Sequence, residues 1–183
     1  MKSISNLGLQ PAALPVVADD LLEFHAGRLL LLFRVCGTRD RIDGLTKMAK
    51  LDFFVRYPQF FSRVCEHLGE AAVSHTDAVE SSMVRFHYGP WDRRYYHVLA
   101  YLKAKNLITV TKEKANAFTF ALTDAGKLTA DTLKGKDAFS DLTEQMARVK
   151  RVLGGKSGTS LKNLVYKVFS AEVATKSLGD VIE

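Results

Sequence analysis

The first clear hydrophobic pattern lies between residues 19 and 37. Apolar residues recur there at helical spacing, and residues 29–33 are apolar on every side, which predicts a central, buried helix. Asp19 and Asp20 offer carboxylates that can cap its start, and Gly37 is a typical end. Residues 1–18 have no clear period, so we expect them to form a loosely held N-terminal arm.

Two further helices and a strand are predicted before residue 91. Apolar positions at helical spacing indicate one helix over residues 45–57, which a proline stops, and another over residues 58–68. The small and acidic residues 69–79 predict a loop. The alternation of residues 83–88 predicts a short strand, which the Gly-Pro pair at 89–90 ends in a bend.

The pattern is sharper after Asp92, which can cap a helix. The inner face of that helix is apolar at i, i+3, i+4 and i+7, namely at Tyr95, Val98, Leu99 and Leu102. Two alternating segments, residues 107–111 and 117–122, then predict a β-hairpin with a charged tip. Thr123 can cap the next helix, which is predicted over residues 124–133.

This order of elements predicts an α+β, mainly helical fold. A helix with a polar outer face, a two-stranded hairpin and a closing helix are typical of a winged helix-turn-helix. We expect a winged-helix domain over residues 19–135, after the N-terminal arm of residues 1–18. Residues 136–183 then form a C-terminal helical extension, with helices over residues 138–153 and 160–169.

Composition and charge limit the classes of protein without choosing one. The 183 residues, 47% of them hydrophobic, suffice for one sizeable core, and 26 Lys and Arg against 20 Asp and Glu give a net charge of +6. No apolar run approaches the roughly 20 residues that a membrane span needs, so we expect no membrane insertion. Cys36 and Cys65 lie among apolar residues, as buried thiols of a cytoplasmic protein do.

The string Gly155-Lys156-Ser157 resembles the end of a phosphate-binding loop. The full pattern needs a glycine where Lys150 stands, and the preceding residues predict a helix rather than a strand. A turn between two helices is therefore the favoured interpretation, with an anion at the following helix N-terminus as the alternative. A nucleotide-hydrolysing enzyme that uses Lys156 is the least favoured hypothesis.

Other catalytic and metal-binding patterns are missing from the sequence. The five histidines are scattered, without a His-x-x-x-His or Cys-x-x-Cys pair, which argues against a structural metal. No serine lies in a nucleophile elbow, and neither cysteine has an evident activating neighbour. We therefore expect no catalytic residues, no metal and no cofactor.

Two basic surfaces are candidates for contact with double-stranded DNA. Winged helices place a helix in the major groove and a basic wing on the DNA backbone. The candidates of this kind are Arg93, Arg94, His97 and Lys103 on the helix, and Lys112 and Lys114 on the hairpin. Residues 145–170 contain no acidic residue, and a DNA backbone could follow Arg148, Lys150, Arg151, Lys156 and Lys162.

Protein contact is an equal alternative for the same helix. Ala100, Tyr101 and Ala104 dilute the basic character of its outer face, and Glu113 dilutes that of the wing. Tyr101 and Trp91 are therefore candidate protein-binding residues. The favoured interpretation of Trp91 is packing beside the Gly-Pro bend, whereas an exposed Trp91 would indicate a binding site.

Three segments resemble the small middle components of ABC-three-component systems, among them the small subunit of Lamassu anti-phage and anti-plasmid defence. They are residues 44–58, residues 79–96 and residues 154–159, within a resemblance that spans roughly residues 28–169. The resemblance implies a non-enzymatic adaptor that joins an SMC-like or Rad50-like ATPase subunit to an effector subunit, often a nuclease, in a complex that senses foreign DNA. It implies no catalytic residues.

In that picture the apolar and aromatic faces bind the protein partners, and the basic C-terminal helices contact DNA. The alternative function is a stand-alone winged-helix transcription regulator. Such a regulator binds a palindromic site as a homodimer, so the two functions differ in what the purified chain does alone.

Overall fold

The computed structural model describes residues 21–71, 83–86, 89–112, 118–170 and 181–182. The helices are α1 Leu22–Cys36, α2 Leu45–Arg56, α3 Pro58–Leu68, α4 Tyr95–Ala104, α5 Asp124–Lys134, α6 Ser140–Leu153 and α7 Gly158–Val168. The strands are β1 Arg41–Asp43, β2 Met83–Phe86, β3 Gly89–Trp91, β4 Ile108–Lys112, β5 Phe118–Leu122 and β6 Val181–Ile182. The predicted α+β, mainly helical fold is confirmed.

Helix α1 runs through the centre of the fold, as its pattern predicts. Its apolar residues 29–33 are at most 2% exposed, because α2, α4, α5 and α6 pack around it. It ends where Gly37 donates its backbone N–H to the Phe33 carbonyl. Leu21 occupies the N-cap position without a side-chain cap, so the predicted aspartate cap is wrong; Asp19 and Asp20 themselves lie outside the described residues.

A small antiparallel sheet closes one side of this helical body. Its strand order is β1-β5-β4, so β5 lies in the middle and pairs Ile42 of β1 with Phe120 on one side. On the other side Phe120 pairs with Val110 of β4. Phe120 stacks on Phe33 of α1 with a ring-centroid distance of 6.1 Å, which anchors the hairpin to the core. The predicted hairpin is thus confirmed.

A second antiparallel sheet has the order β3-β2-β6, in which β2 and β3 precede α4 and β6 follows the last helix. Gly89 and Pro90 belong to β3 and pair with Phe86 and Arg85 of β2, so the predicted bend at 89–90 is instead a strand. The proline takes a position that pairs with β2 on the short edge strand, where a missing N–H is tolerated. This strand carries the chain directly into the turn before α4.

Helices α6 and α7 share one hydrophobic core with the preceding elements. Phe169, just after α7, contacts Phe53 of α2 and Phe60 of α3, with a ring-centroid distance of 4.9 Å to Phe60. Helix α6 begins at Ser140 after a 3-10 turn, and α7 begins at Gly158, two residues before its predicted start. The predicted C-terminal extension is therefore packed into the same cluster of apolar side chains.

Several predictions fall on residues outside the described ranges. The predicted N-terminal arm, residues 1–18, and most of the predicted loop, residues 72–79, are of this kind. Lys114 and Glu113 in the hairpin tip are as well. Among the helices that are described, none is both long and apolar enough to cross a membrane.

The first turn of α5 provides a test of the packing between α5 and the hairpin. A Cβ atom on Gly126 would collide with the carbonyl oxygen of Leu107, which is backbone and cannot swing away. We expect Gly126→Ala to lower the free energy of unfolding by about 1–3 kcal/mol in a urea titration. Gly135→Ala is the control, because its Cβ would meet nothing closer than 3.6 Å. Equal effects of the two substitutions would contradict this packing.

Candidate functional site on helix α4 and the β4–β5 hairpin

The outward side of α4 and the adjoining hairpin form one continuous surface, the α4–hairpin face. Arg93, His97 and Lys103 are exposed on it, and Lys112 is exposed at the end of β4. Residues 93–112 include no acidic residue, so the charges that this stretch contributes are all positive. The structure therefore brings together three of the predicted helix residues and one of the two predicted wing residues.

Arg94 does not belong to this exposed set. Its guanidinium Nε lies 2.9 Å from Oδ1 of Asp92, and its Nη1 lies 2.7 Å from Nε2 of His25 in α1. The side chain is 35% exposed and is held against the body by these contacts. The guanidinium supports the turn before α4, and its role in DNA binding stays a prediction.

The turn before α4 rests on a buried ionic cluster. The cluster consists of Arg28 of α1, Asp52 and Arg56 of α2, Asp92, and the Tyr95 hydroxyl of α4. Arg28 Nε donates to Asp52 at 3.0 Å, Arg56 Nη1 donates to Asp92 at 2.8 Å, and the Tyr95 hydroxyl donates to Asp52 at 2.7 Å. The side chains of its four charged members are at most 5% exposed. Three helices are thus joined through one set of charges.

The Asp92 carboxylate of the cluster remains ionised because of its donors. Burial alone would raise the pKa of the Asp92 carboxyl, but hydrogen bonds from Arg94 and the charge of Arg56 outweigh burial and hold that pKa well below its usual range. Burial and the Asp52 carboxylate raise the pKa of the Tyr95 hydroxyl, so it stays protonated and donates. The cluster is a structural support for α4, since its polar atoms face one another.

A second buried polar contact fixes β3 beside α2. The Lys50 ammonium donates to the Pro90 carbonyl oxygen at 2.8 Å, and the residue is fully buried. Burial lowers the pKa of Lys50 to about 7. The strand that leads into α4 is therefore held by a lysine that loses its proton more readily than an exposed lysine does.

An apolar groove opens in the middle of the α4–hairpin face. It has a volume of about 240 Å³. Helix α4 contributes Tyr96, Ala100 and Lys103, and the hairpin contributes Val110, Phe118 and Phe120. Tyr96 is 62% exposed and Phe118 is 41% exposed, both unusual for large side chains of a packed fold. The predicted outer face of α4 is therefore more apolar than its basic residues suggest.

The two predicted protein-binding aromatics are not part of this groove. Trp91 is only 6% exposed and packs edge-to-face on Tyr95 at a centroid distance of 5.2 Å, in agreement with its packing interpretation, and its binding role stays an untested prediction. Tyr101 is half-buried, and the Lys105 ammonium lies 5.7 Å from its ring centroid. The exposed aromatic residues of the face are instead Tyr96 and Phe118.

The basic residues of α6 and α7 do not form one exposed track. Lys150 donates to the carbonyl oxygens of Cys36 and Gly37 at the end of α1, at 2.8 and 2.6 Å, so its ammonium is engaged within the fold and its DNA contact stays a prediction. Arg148 pairs with Glu144 of the same helix at 3.3 Å. Arg151 is exposed, while Lys156 and Lys162 are half-buried.

The Gly155-Lys156-Ser157 string is a turn between α6 and α7, as predicted. Ser157 caps α7 by accepting the Ser160 N–H at 3.1 Å, and Lys47 of α2 donates to the Gly154 carbonyl at 2.9 Å. A phosphate-binding loop follows a strand, whereas this turn follows a helix.

The described residues offer no reactive thiol or metal cluster. Burial raises the pKa of the Cys36 thiol to about 12 and also raises that of Cys65, so both stay protonated. Over the same ranges, no group of three or more His, Cys, Asp or Glu side chains could hold a metal ion.

Comparison with known proteins adds no relative: no protein family, no curated protein and no solved structure matches the chain.

Sequence reasoning missed the ionic cluster and the groove. Arg28, Asp52 and Arg56 stand in strongly apolar segments, and a charge within such a segment is a signal for a buried pair. The pairing itself joins residues 24 or more positions apart, which periodicity does not reveal. Phe118 lies on the same side of the strand as the buried Phe120, so the sequence gives no signal that Phe118 is 41% exposed.

The cluster predicts a large stability loss when one acid is removed. Asp52→Ala leaves the buried Arg28 guanidinium and the Tyr95 hydroxyl without their acceptor, so we expect a loss of about 3–5 kcal/mol in the free energy of unfolding. Asp43→Ala is the matched control, because its ion pair with Arg41 is exposed and is expected to contribute less than about 1 kcal/mol. A loss at Asp52 no larger than that at Asp43 would show that the cluster is not buried.

Lys50 predicts a pH dependence of stability. Its pKa of about 7 in the folded protein lies below its ordinary value of 10.5, so between these values the unfolded chain binds more protons and stability rises with pH. Lys50→Met removes that contribution. The free energy of unfolding of the variant should therefore fall relative to that of the wild type as the pH is raised from about 7 to about 10. Urea unfolding of both proteins measures the difference, and a constant difference would mean that Lys50 titrates normally.

Proposed function

We propose that this chain is a non-enzymatic adaptor subunit whose winged-helix domain binds partner proteins through the α4–hairpin face. The element order supports the winged-helix assignment. Helix α4 stands directly before the β4–β5 hairpin, as a recognition helix stands before a wing, and β1 adds a third strand on the far side of β5. The segment from α3 to β3 is then an insertion between the second helix and the recognition helix.

The observation that carries the proposal is the apolar groove on the face that a winged helix uses for recognition. A helix that reads DNA presents polar side chains to base edges and phosphates. Helix α4 presents Tyr96 and Ala100 there, beside the partly exposed Phe118 of the hairpin. Exposed aromatic and small apolar residues inside a polar surround are typical of the centre of a protein–protein interface.

The partners follow from the resemblance to the small middle components of ABC-three-component systems. We propose that they are an SMC-like or Rad50-like ATPase subunit and a nuclease-type effector, in a cytoplasmic complex directed against phages and plasmids. Two parts of the segments that carry the resemblance, residues 44–58 and residues 89–92 of the segment 79–96, build the scaffold beneath α4. They supply Lys50, Asp52 and Asp92, which are buried supports rather than reactive groups.

A stand-alone transcription regulator is the second candidate. The observation in its favour is the absence of acidic residues from 93–112, which gives α4 and β4 a uniformly positive charge. Exposed Arg93, His97, Lys103 and Lys112 could contact phosphates. The groove weighs against it, since an apolar hollow at the centre of the face contributes nothing to the binding of phosphates.

Co-expression with the products of the adjacent genes tests the adaptor function. We expect the chain to co-purify in a stoichiometric complex with an ATPase subunit and to remain bound through size-exclusion chromatography. ATP turnover by that complex should be unchanged by Lys156→Ala, because the turn between α6 and α7 has a structural role.

Two outcomes would overturn the adaptor proposal. One is tight, sequence-specific binding of a palindromic DNA by the purified chain alone at physiological salt, which is the behaviour of a regulator. The other is ATP turnover by the chain alone that Lys156→Ala abolishes, which would make it a nucleotide-hydrolysing enzyme.

A further inference from the structure

The groove exists because the core side of the hairpin extends past the body of the protein. Cross-strand pairs on this side run from Ile108 and Leu122, through Val110 and Phe120, to Lys112 and Phe118. The first pair is buried at 2% and 6% exposure, whereas Phe118 at the outer end is 41% exposed. The hairpin thus offers an apolar surface that α4 covers only in part.

The size and lining of the groove favour a protein side chain over a metabolite. Its 240 Å³ is smaller than the roughly 300 Å³ at which small-molecule sites begin. Such sites also contain convergent polar groups that orient the ligand. Among the described residues that line the groove, Lys103 is the only charged one, so one bulky apolar side chain is the occupant that fits.

The charge around the groove indicates which residues lie next to the inserted side chain in the partner. Lys103 forms part of the wall, Lys112 stands opposite Phe118 across the hairpin, and Arg93 adds an exposed positive charge just before α4. Among the described residues, the acid nearest in register is Asp43 of β1, which pairs with Arg41 and opposes Thr119. The Thr119 side chain points to the other side of the sheet from Phe118. Glu113 in the hairpin tip lies outside the described residues. Electrostatic complementarity therefore calls for acidic residues beside the anchor.

We propose that the α4–hairpin groove binds an acidic segment of a partner protein, which inserts one large apolar side chain between Ala100 and Phe118. This deepens the proposed adaptor function, on which it rests, by naming the chemistry of the partner. A second copy of the chain fits less well, because a two-fold contact through this face would bring Lys103 and Lys112 of both copies together. DNA fits less well too, because its phosphates would leave the apolar residues that line the groove without an apolar contact.

Photocrosslinking in cells tests which molecule occupies the groove. The full chain is expressed beside the adjacent genes with benzoylphenylalanine at Phe118, or as control at Leu128, which is 72% exposed on α5. We expect the Phe118 position to crosslink a peptide of another protein that has at least two acidic residues close to a bulky apolar one. Crosslinks to a second copy, to residues 1–20 of the same chain or to DNA would each overturn the proposal, as would no crosslink above the Leu128 level.

Binding of that crosslinked peptide, made synthetically with a fluorophore, tests the mechanism. Ala100→Trp fills the groove and should weaken binding at least ten-fold, whereas Ala104→Trp, one turn along on the same helix and outside the groove, should leave binding unchanged. The double variant Lys103→Glu with Lys112→Glu should also weaken binding at least ten-fold and reduce its salt dependence. Unchanged affinity in the Ala100→Trp or the double variant overturns the proposal, and unfolding curves verify that both are folded.

The outcomes separate this inference from the adaptor function. A complex with the ATPase that forms equally well with Ala100→Trp overturns the groove inference and leaves the adaptor function standing. If the crosslinked acidic peptide comes from a protein other than the ATPase or the effector, the groove inference stands and the proposed adaptor function is overturned.

Discussion

The position of α4 depends on the buried ionic cluster beneath it. Apolar packing alone would tolerate small shifts and rotations of a helix, because it is not directional. The bonds of Arg28 and Tyr95 to Asp52, and of Arg56 to Asp92, are directional and carry a desolvation cost unless all of them form together. The rotation of α4, and with it the set of side chains that faces outward, is therefore fixed by charges in α1 and α2.

Local patterns predicted most of the elements and little of the polar interior. The apolar run 29–33, the alternation on both sides of the hairpin tip and the Thr123 cap are all properties of neighbouring residues, so they could be interpreted from the sequence. Lys150 and Arg94 were assigned to binding surfaces because they are charged. The partners of Lys150 at the end of α1, and the His25 partner of Arg94, lie far away in sequence, and only the assembled fold shows them. Asp92, the other partner of Arg94, is two residues away in sequence.

The groove lies beyond sequence reasoning for a related reason. Alternation in β5 places Phe118, Phe120 and Leu122 on one side of the strand, and a sequence alone assigns all three to the core. Only the length of the hairpin relative to α4 decides that Leu122 is covered while Phe118 is not. How far one element reaches past another is a tertiary quantity, so the candidate site became visible only when both elements were in place.

The buried cluster and the exposed α4–hairpin face differ in how well their positions tolerate substitution. Substitutions in the cluster are costly, because each leaves a buried charge or donor unpaired. Tyr96, Ala100 and Lys112 on the face are exposed, and exposed positions generally tolerate substitution within about 0.5 kcal/mol. The same scaffold can therefore present different grooves.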